Sequence, residues 1–231
     1  MTSDDVLVDL SASSVRELNS LLHRATELGR YRVAGAAGQH ALAVGLDAEL
    51  EVVIDGHAGY YCAGMNQHAL VDVRGNAGVG VGENMMSGAV RVRGNASQSA
   101  GATAHGGLLV VEGSAGARCG ISMKGVDIVV GGDVGHMSAF MAQAGRLVVL
   151  GDAGEALGDS IYEARIYVRG EVESLGADCV RKAMEDEHRK ELGELLQAAG
   201  FDADPRDFVR YGSARRLYNF HPDNAAYKEG P

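Results

Sequence analysis

Glycine-rich segments that could bind phosphate are the first residues of this chain to suggest chemistry. The segment "GNAGVGVG", residues 75–82, has glycines at nearly the spacing of a phosphate-binding loop. A P-loop, however, needs Gly-Lys followed by Ser or Thr, and a dinucleotide fingerprint needs a helix directly after its glycines. Neither follows here, and the same glycine pattern returns along the chain. We therefore predict no nucleotide site.

An aspartate at a glycine-rich corner suggests calcium in the segment "VVGGDVG", residues 129–135. Repeats that bind calcium in β-helices place Asp at fixed positions in successive coils. At the matching position Ser114 lies one repeat before Asp133, and Asp152, one repeat after, would need an unbroken ladder. We interpret Asp133 as a lone corner residue.

Cysteine and histidine, the usual zinc ligands and nucleophile partners, are scattered. Cys62 and Cys119 are 57 residues apart, three periods of the repeat described below, and are therefore expected on one face but too distant to share a metal ion. Four histidines fall at differing positions of the repeat: His57, His68, His105 and His136. No CxxC or HxxxH pair supplies zinc spacing, and nothing assembles a Ser-His-Asp or Cys-His arrangement. The sequence predicts no catalytic, cofactor-binding or metal-binding residue on this chain.

The elements that position these residues follow a nineteen-residue repeat. Seven glycines keep that period without an insertion: Gly56, Gly75, Gly94, Gly113, Gly132, Gly151 and Gly170. The four residues before each are "VVID", "VDVR", "VRVR", "LVVE", "IVVG", "LVVL" and "IYVR". Their first and third positions are always aliphatic, which is the alternation of a half-buried strand. Neighbours such as Asp72, Arg74 and Arg91 suit a solvated outer face.

Further glycines follow the first in each repeat. The complete spacing G-x2-G-x3-G occurs three times, and its second and third members are Gly78 and Gly82, Gly116 and Gly120, and Gly154 and Gly158. Ser97 and Ala139 replace glycine in the coils between. Glycine permits positive φ and close backbone approach, so we predict that these glycines form the corners of stacked coils.

Stacked strands of this kind predict an all-β fold, a right-handed parallel β-helix with a single strand per coil and about seven coils. We divide the chain into an N-terminal strand and helix cap (1–30), the β-helix (31–177), and C-terminal helices with an extended tail (178–231).

The segments that flank the repeat are predicted to cap the two open ends of the solenoid. We predict a helix over residues 13–28, with Ser14 and Glu17 as a capping box and Gly29 as its stop. Two more helices are predicted over 178–200 and 204–211. The remaining tail is rich in aromatic residues and arginine, which are enriched at protein interfaces. We therefore predict that the tail binds a partner chain, and the candidate contact residues are Arg215, Arg216, Tyr218, Phe220 and Tyr227.

Composition limits the partners. The net charge is −10 and there is no basic run, so neither nucleic acid nor an anionic membrane surface is an expected partner. No stretch of apolar residues is long enough to span a bilayer, and "MTSDDVLVDL" lacks the pattern of a signal peptide. Three widely spaced cysteines fit a reducing compartment. We expect a cytoplasmic protein.

The glycine repeat over residues 30–180 resembles the GXGXG domain, found at the end of the glutamate synthase large subunit and in one of the subunits of formylmethanofuran dehydrogenase. The segments "DLSASSVRELN" and "RYGSARRLYNFHPDNAAY" resemble the free-standing GXGXG subunits of N-methylglutamate synthase. The resemblance implies a non-catalytic chain that holds together a class II glutamine amidotransferase-like subunit and an FMN-dependent glutamate synthase-like subunit. No cofactor is expected on this chain. FMN and, as a second candidate, an iron–sulfur cluster are expected on a partner subunit.

Three functions are therefore compared. The first is a structural subunit of a complex that converts methylamine and glutamate to N-methylglutamate and ammonia. The second is the corresponding subunit of a formylmethanofuran dehydrogenase or formyltransferase/hydrolase complex. The third is a stand-alone enzyme or binding module that uses one face of the solenoid.

Overall fold

A single sheet runs the length of the molecule. The computed structural model describes residues 5–25 and 28–214. Within those residues there are eleven strands in one sheet and two α-helices. The strands are β1 (Val6–Asp9), β2 (Gly29–Ala37), β3 (Leu50–His57), β4 (Leu70–Val73), β5 (Ala89–Val92), β6 (Leu108–Val111), β7 (Lys124–Val130), β8 (Ala144–Val149), β9 (Arg165–Val168), β10 (Cys179–Lys182) and β11 (Val209–Ser213).

Strands β1 to β9 pair in chain order and are all parallel. The register follows the repeat, since Val71 pairs with Val52 on one side and with Val90 on the other. A second ladder of single bridges stacks one residue of each coil: Ala58, Ala77, Ala96, Ala115, Val134, Ala153 and Val172. The predicted parallel β-helix of about seven coils is confirmed.

The aliphatic residues of the repeat form one continuous core. Among them, Val52, Val90 and Ile128 are each at most 1% exposed to solvent. Full burial of such a side chain stabilises a fold by roughly 1.5–3 kcal/mol, and the same two positions contribute in every coil. The core is therefore as long as the solenoid itself.

Helix α1 (Val15–Arg24) covers the N-terminal end of this core through Leu18 and Leu22. The predicted capping box is present, because Ser14 Oγ accepts a hydrogen bond from Glu17 N at 3.2 Å and Ser14 N donates to Glu17 Oε2 at 2.7 Å. The predicted C-terminal boundary is wrong. The helix ends at Arg24, and Gly29 is the first residue of β2.

The helix predicted over 178–200 is only partly present. Its first residues form β10, and helix α2 occupies Asp186–Ala199. Gly200 ends α2 in the left-handed conformation at φ 79°, as a C-terminal glycine commonly does. The strand replaces helix because β10 pairs antiparallel with β11, a partner that lies beyond α2 in the chain.

The short helix predicted over 204–211 is likewise only a 3₁₀ turn at Pro205–Asp207, which β11 follows. β11 pairs antiparallel with β9. It thereby satisfies the backbone groups that the last parallel strand would otherwise expose, and it ends the parallel series.

Candidate interaction surfaces

The glycines that begin each coil lie where neighbouring coils approach closely. A Cβ on Gly94 would lie 2.2 Å from Oδ1 of Asn76, and a Cβ on Gly151 would lie 2.2 Å from Oδ1 of Asp133. Of the seven, only Gly56 has φ in the left-handed region. Close approach, rather than positive φ, therefore requires glycine at this position of the coil.

Positive φ is concentrated in the turn that follows. Gly82, Gly101, Gly120 and Gly158 have φ between 65° and 68°, while Ala63 and Ala139 adopt φ of 53° and 57° at the same place in their coils. The turns are linked between coils, since Gly101 N donates to Val81 O at 2.8 Å. We call the surface made by these turns the turn face; its exposed members include Tyr60, Met65, Val79 and Met141.

A ladder of small polar side chains runs along the corner after each first glycine. Each accepts a hydrogen bond from the backbone N–H one coil further on: Asn76 from Asn95, Asn95 from Ser114, Ser114 from Asp133, Asp133 from Asp152 and Asp152 from Glu171, at 2.8–3.1 Å. The interpretation of Asp133 as a lone residue is wrong, because Ser114 and Asp152 extend the ladder on both sides. Its Oδ1 binds backbone, and the described residues contain no cluster of three metal-ligating side chains.

The cysteines point into the core. All three thiols are free and buried, and burial raises the pKa of Cys62 and of Cys119 to about 12. Burial also raises the pKa of Cys179, to about 11. Because the thiolate is the reactive form, these side chains serve packing in the native fold.

The outer face of the sheet is divided into two halves. On strands β6 to β9 the middle outward residue is apolar, and helix α2 buries this column: Val110, Val129, Val148 and Tyr167 pack against Leu192, Leu195 and Leu196. A solvated outer face is therefore wrong for these coils. The sequence carried a signal for this, since the second of the four residues before the first glycine of the coil changes from Asp72 and Arg91 to Val110, Val129 and Val148.

A polar cluster attaches α2 to β9. The hydroxyl of Tyr167 donates to Glu191 Oε1, and Arg165 Nη1 lies 2.6 Å from Glu191 Oε2. Burial opposes the charge of Glu191, but the hydrogen bonds from Tyr167 and Arg165 outweigh it and hold the pKa of Glu191 below its usual value. Burial, together with the bond to Glu191, raises the pKa of Tyr167. The cluster is thus an ionised carboxylate held by two donors beneath the helix.

The other half of the outer face, on strands β1 to β5, is not covered by any described element. It contains a groove of about 360 Å³. Its floor and walls include Arg30, Glu51, Val53, Leu70, Asp72, Ala89, Arg91 and Arg93. Leu70 is 51% exposed there, and we call this surface the open sheet face.

Ion pairs border the apolar part of the open sheet face. Arg93 Nε lies 2.8 Å from Asp72 Oδ1, and Arg91 and Arg93 both contact Glu112 at 2.8–2.9 Å. Arg91 also donates to the carbonyl oxygen of Ala199 at 2.7 Å. The open sheet face therefore begins where α2 ends, and Arg91 joins the two.

The turn face carries a small aromatic group at its N-terminal end. The ring centroids of Tyr60 and Tyr61 are 5.6 Å apart at 28°, and those of His40 and Tyr60 are 6.3 Å apart at 81°. The residues predicted to bind a partner, Arg215, Arg216, Tyr218, Phe220 and Tyr227, lie outside the described residues. Their proposed role in binding a partner stays a prediction.

Comparison with known proteins places this fold in a family. The chain is 58% identical over 223 residues to Protein GlxC of Rhizobium meliloti (strain 1021), across 95% of this chain and 98% of that protein. The chain belongs to the GlxC family. No family model matches it. The alignment is longer than the seven coils, so the similarity extends into the segments that flank the solenoid. None of the helices within the described residues has the length and hydropathy needed to cross a bilayer.

Proposed function

We propose that this GlxC-family chain is a non-catalytic structural subunit of a glutamate synthase-like complex of the N-methylglutamate synthase type. The observation that carries the proposal is the structural role of the corner side chains and cysteines that the sequence offered as candidates for chemistry. The corner oxygens of Asn76, Asp133 and Asp152 accept backbone N–H bonds between coils, and the cysteine thiols lie in the core. These groups hold the solenoid together, and the surfaces that remain are suited to binding other chains.

The proposed partners are those implied by the GXGXG resemblance. An amidotransferase-like subunit and an FMN-dependent synthase-like subunit would carry the chemistry, with FMN bound to the latter. The complex would exchange the amino group of glutamate for methylamine and release ammonia. In this arrangement the present chain contributes rigidity and spacing.

The shape of the chain supports that role. Seven coils at about 4.8 Å each give a rod roughly 34 Å long, with backbone hydrogen bonds between every pair of coils on the sheet side and the turn side. The charged open sheet face and the aromatic turn face differ in chemistry. Two unlike surfaces on one rigid body allow two unlike partners to be held at a fixed separation.

The experiment is a mild affinity purification of the tagged full-length chain from its native cells, followed by mass spectrometry and a flavin absorbance scan. We expect an amidotransferase-like chain and a yellow FMN-bearing chain, with methylamine-dependent glutamate consumption in the mixture. The isolated chain is expected to show none. Synthase activity from the isolated chain, or its recovery as a colourless monomer, would overturn the proposal. Copurification with a metal-dependent amidohydrolase-like chain would redirect it to the formylmethanofuran-type complex.

A further inference from the structure

The sheet has two edges, and they differ in chemistry. Strand β10 forms the C-terminal edge and β1 forms the N-terminal edge. β10 ends in Arg181 and Lys182, and charged side chains, lysine above all, protect an edge strand against pairing with another chain. β1 begins with three aliphatic residues, and its only charged residue, Asp9, lies at its end. The N-terminal edge is therefore the one that lacks this protection.

The backbone of β1 directs hydrogen-bonding groups away from the sheet. In a parallel ladder alternate residues bond to the neighbouring strand, and Leu10 N donates to Ala34 O, next to β2, at 2.9 Å. The same alternation directs the N–H and C=O of Val8 towards β2 and those of Leu7 away from it. No element within the described residues bonds to these outward groups of Leu7. They have the geometry to accept one more strand.

Helix α1 covers the same end of the solenoid, but on the turn side. Asn19 Nδ2 donates to the carbonyl oxygen of Ala41 at 2.8 Å, and His23 Nε2 lies 2.7 Å from that of Val44. The helix thus lies beneath the turns of the first coil, and the edge of the sheet is left to β1.

Apolar side chains are exposed at this edge. Leu28 and Leu7 are 77% and 64% exposed, the two highest values for large apolar residues in the described part of the chain. Val6 shares the inward side of β1 with Val8, yet Val6 is 45% exposed and Val8 only 8%. A strand added beside β1 would cover Leu7 and Val6, as each coil covers the aliphatic residues of the coil before it.

A second copy of this chain is a poor occupant of the edge. Two equal edges related by a two-fold axis pair antiparallel, and the register that keeps Val6 opposite Val8 is centred on Leu7. That register places Asp5 opposite Asp9 at both ends of the pair. Like charges directly opposite one another destabilise a ladder. The edge therefore favours a strand of different sequence.

Asp5 indicates one feature of that sequence. Its Oδ1 atom is 3.7 Å from Arg30 Nε, whereas Oε2 of Glu51 is 2.6 Å from the same nitrogen. The Asp5 side chain is 45% exposed, and the charge of its neighbouring arginine is already offset at closer range by Glu51. A lysine or arginine opposite Asp5 on an added strand would form a cross-strand pair of opposite charge, which stabilises a ladder.

We propose that β1 is a docking edge to which a partner subunit adds a β-strand. The added strand bonds to the outward backbone groups of Leu7, covers Leu7 and Val6 with aliphatic side chains, and carries Lys or Arg opposite Asp5. The sheet of the solenoid then continues into the partner, and main-chain hydrogen bonds join the two chains. The inference rests on the proposed function, since it specifies how the structural subunit holds one of its partners.

Residue-resolved hydrogen exchange tests this on the full-length wild-type chain, free and in the purified complex. The amides of Val8 and Leu10 are the internal control, because both face β2 and are bonded in the free chain. We expect the Leu7 amide to exchange rapidly in the free chain and at least tenfold more slowly in the complex. The Val8 and Leu10 amides should change less.

Unchanged exchange at Leu7 in an intact complex would overturn this inference and leave the proposed function standing. Failure of the wild-type chain to form any complex would overturn both. Protection of Leu7 in the isolated chain that grows with concentration would assign the edge to a second copy instead. Protection that is independent of concentration and disappears when residues 215–231 are deleted would assign it to the C-terminal segment of the same chain.

Proline at residue 7 separates backbone pairing from side-chain contact. Leu7→Pro removes an N–H that faces away from β2, a change that an edge strand tolerates, so the Tm of the free chain should be unchanged. Partner binding should weaken at least tenfold. Leu7→Ala keeps the N–H and is the matched control, which should weaken binding clearly less. Wild-type affinity in a folded Leu7→Pro chain would contradict strand addition, and the exchange experiment, which uses the wild-type chain, does not depend on how this variant folds.

Discussion

Asn76 and Gly94, eighteen residues apart in the chain, occupy adjacent coils so closely that a Cβ on Gly94 would lie 2.2 Å from the Asn76 Oδ1 atom. That oxygen is where it is because it accepts the Asn95 N–H at 2.8 Å. The polar ladder and the first glycine of each coil are therefore one device: the side chain of one coil occupies the space that the missing Cβ of the next coil leaves.

Gly94→Ala should therefore lower the free energy of unfolding by about 2–4 kcal/mol, because the new methyl group displaces a ladder side chain or separates two coils. Equilibrium urea unfolding measures the change. Gly193→Ala in α2 is the matched control, since its Cβ would meet only Pro205 Cγ at 3.4 Å and should stabilise the helix by about 1 kcal/mol.

A double-mutant cycle tests whether the cost of Gly94→Ala comes from the contact between the new Cβ and Asn76 Oδ1, rather than from the presence of any side chain at residue 94. Asn76→Ala alone should cost about 1 kcal/mol, the value of one hydrogen bond to backbone. Combined with Gly94→Ala it should cost clearly less than the sum of the two single changes, because the clashing oxygen is gone. Simple additivity would contradict the pairing of the two residues.

Two turn glycines with the same backbone conformation should respond differently to alanine. Gly82 and Gly101 have φ of 65° and 66°, but a Cβ on Gly82 would meet nothing closer than 3.8 Å, whereas one on Gly101 would lie 2.6 Å from Ile128 Cδ1. Gly82→Ala should cost about 1 kcal/mol, the left-handed penalty alone, and Gly101→Ala about 1–3 kcal/mol more. Thermal unfolding of the two variants checks the order, and equal Tm values would show that conformation alone decides.

The parallel β-helix was predictable because strand alternation and the glycine period repeat in every coil, so each coil supports the same interpretation. The ladder was also visible, since Asn76, Asn95, Ser114, Asp133 and Asp152 all follow a first glycine. A calcium ladder requires aspartate in each coil, whereas a hydrogen-bonded ladder accepts Asn, Ser or Asp, because each has a side-chain oxygen that can accept the backbone N–H of the next coil. The change from Arg91 to Val110 at the outward position indicated a covered surface. It did not indicate that α2 is the cover, because that contact joins elements far apart in the chain.

Strand β10 was missed for the same reason. Cys179 pairs with Ser213, and the whole of α2 lies between them in the chain. The residues near Cys179 have a helical pattern, and only the distant pairing with β11 makes this segment a strand. The open sheet face belongs to the same class of feature. The repeat identifies the outward residues of these strands. It does not show which strands α2 leaves uncovered, and so it cannot predict the groove.

The Glu191 cluster predicts a pH dependence of stability. Since the folded state lowers the pKa of Glu191, the cluster stabilises the fold above the pKa of the unfolded carboxyl, and this contribution is lost as the pH falls through the lower pKa of the folded state. Wild-type urea midpoints measured from pH 7 down to pH 3 should fall more steeply than those of Glu191→Gln. Tyr167→Phe should lower stability at pH 7, because it removes a donor from a partly buried carboxylate. Parallel pH profiles for wild type and Glu191→Gln would contradict the assignment.

Thiol reactivity should report opening of the solenoid. Burial raises the pKa of Cys62 and Cys119 to about 12, so at pH 8 the native thiols are protonated as well as inaccessible, and an aromatic disulfide reagent should react with them only as fast as the coils open. In denaturant all three cysteines should react within seconds, because their pKa values return to the ordinary range near 8.5. Cys179, the first residue of the C-terminal strand β10 and with a pKa raised only to about 11, should react first in the native protein. Mass spectrometry of partially labelled chains gives the order. Reaction of Cys119 ahead of Cys179 would mean that the solenoid opens from its middle, and reaction of Cys62 first would mean that it opens from its N-terminal end.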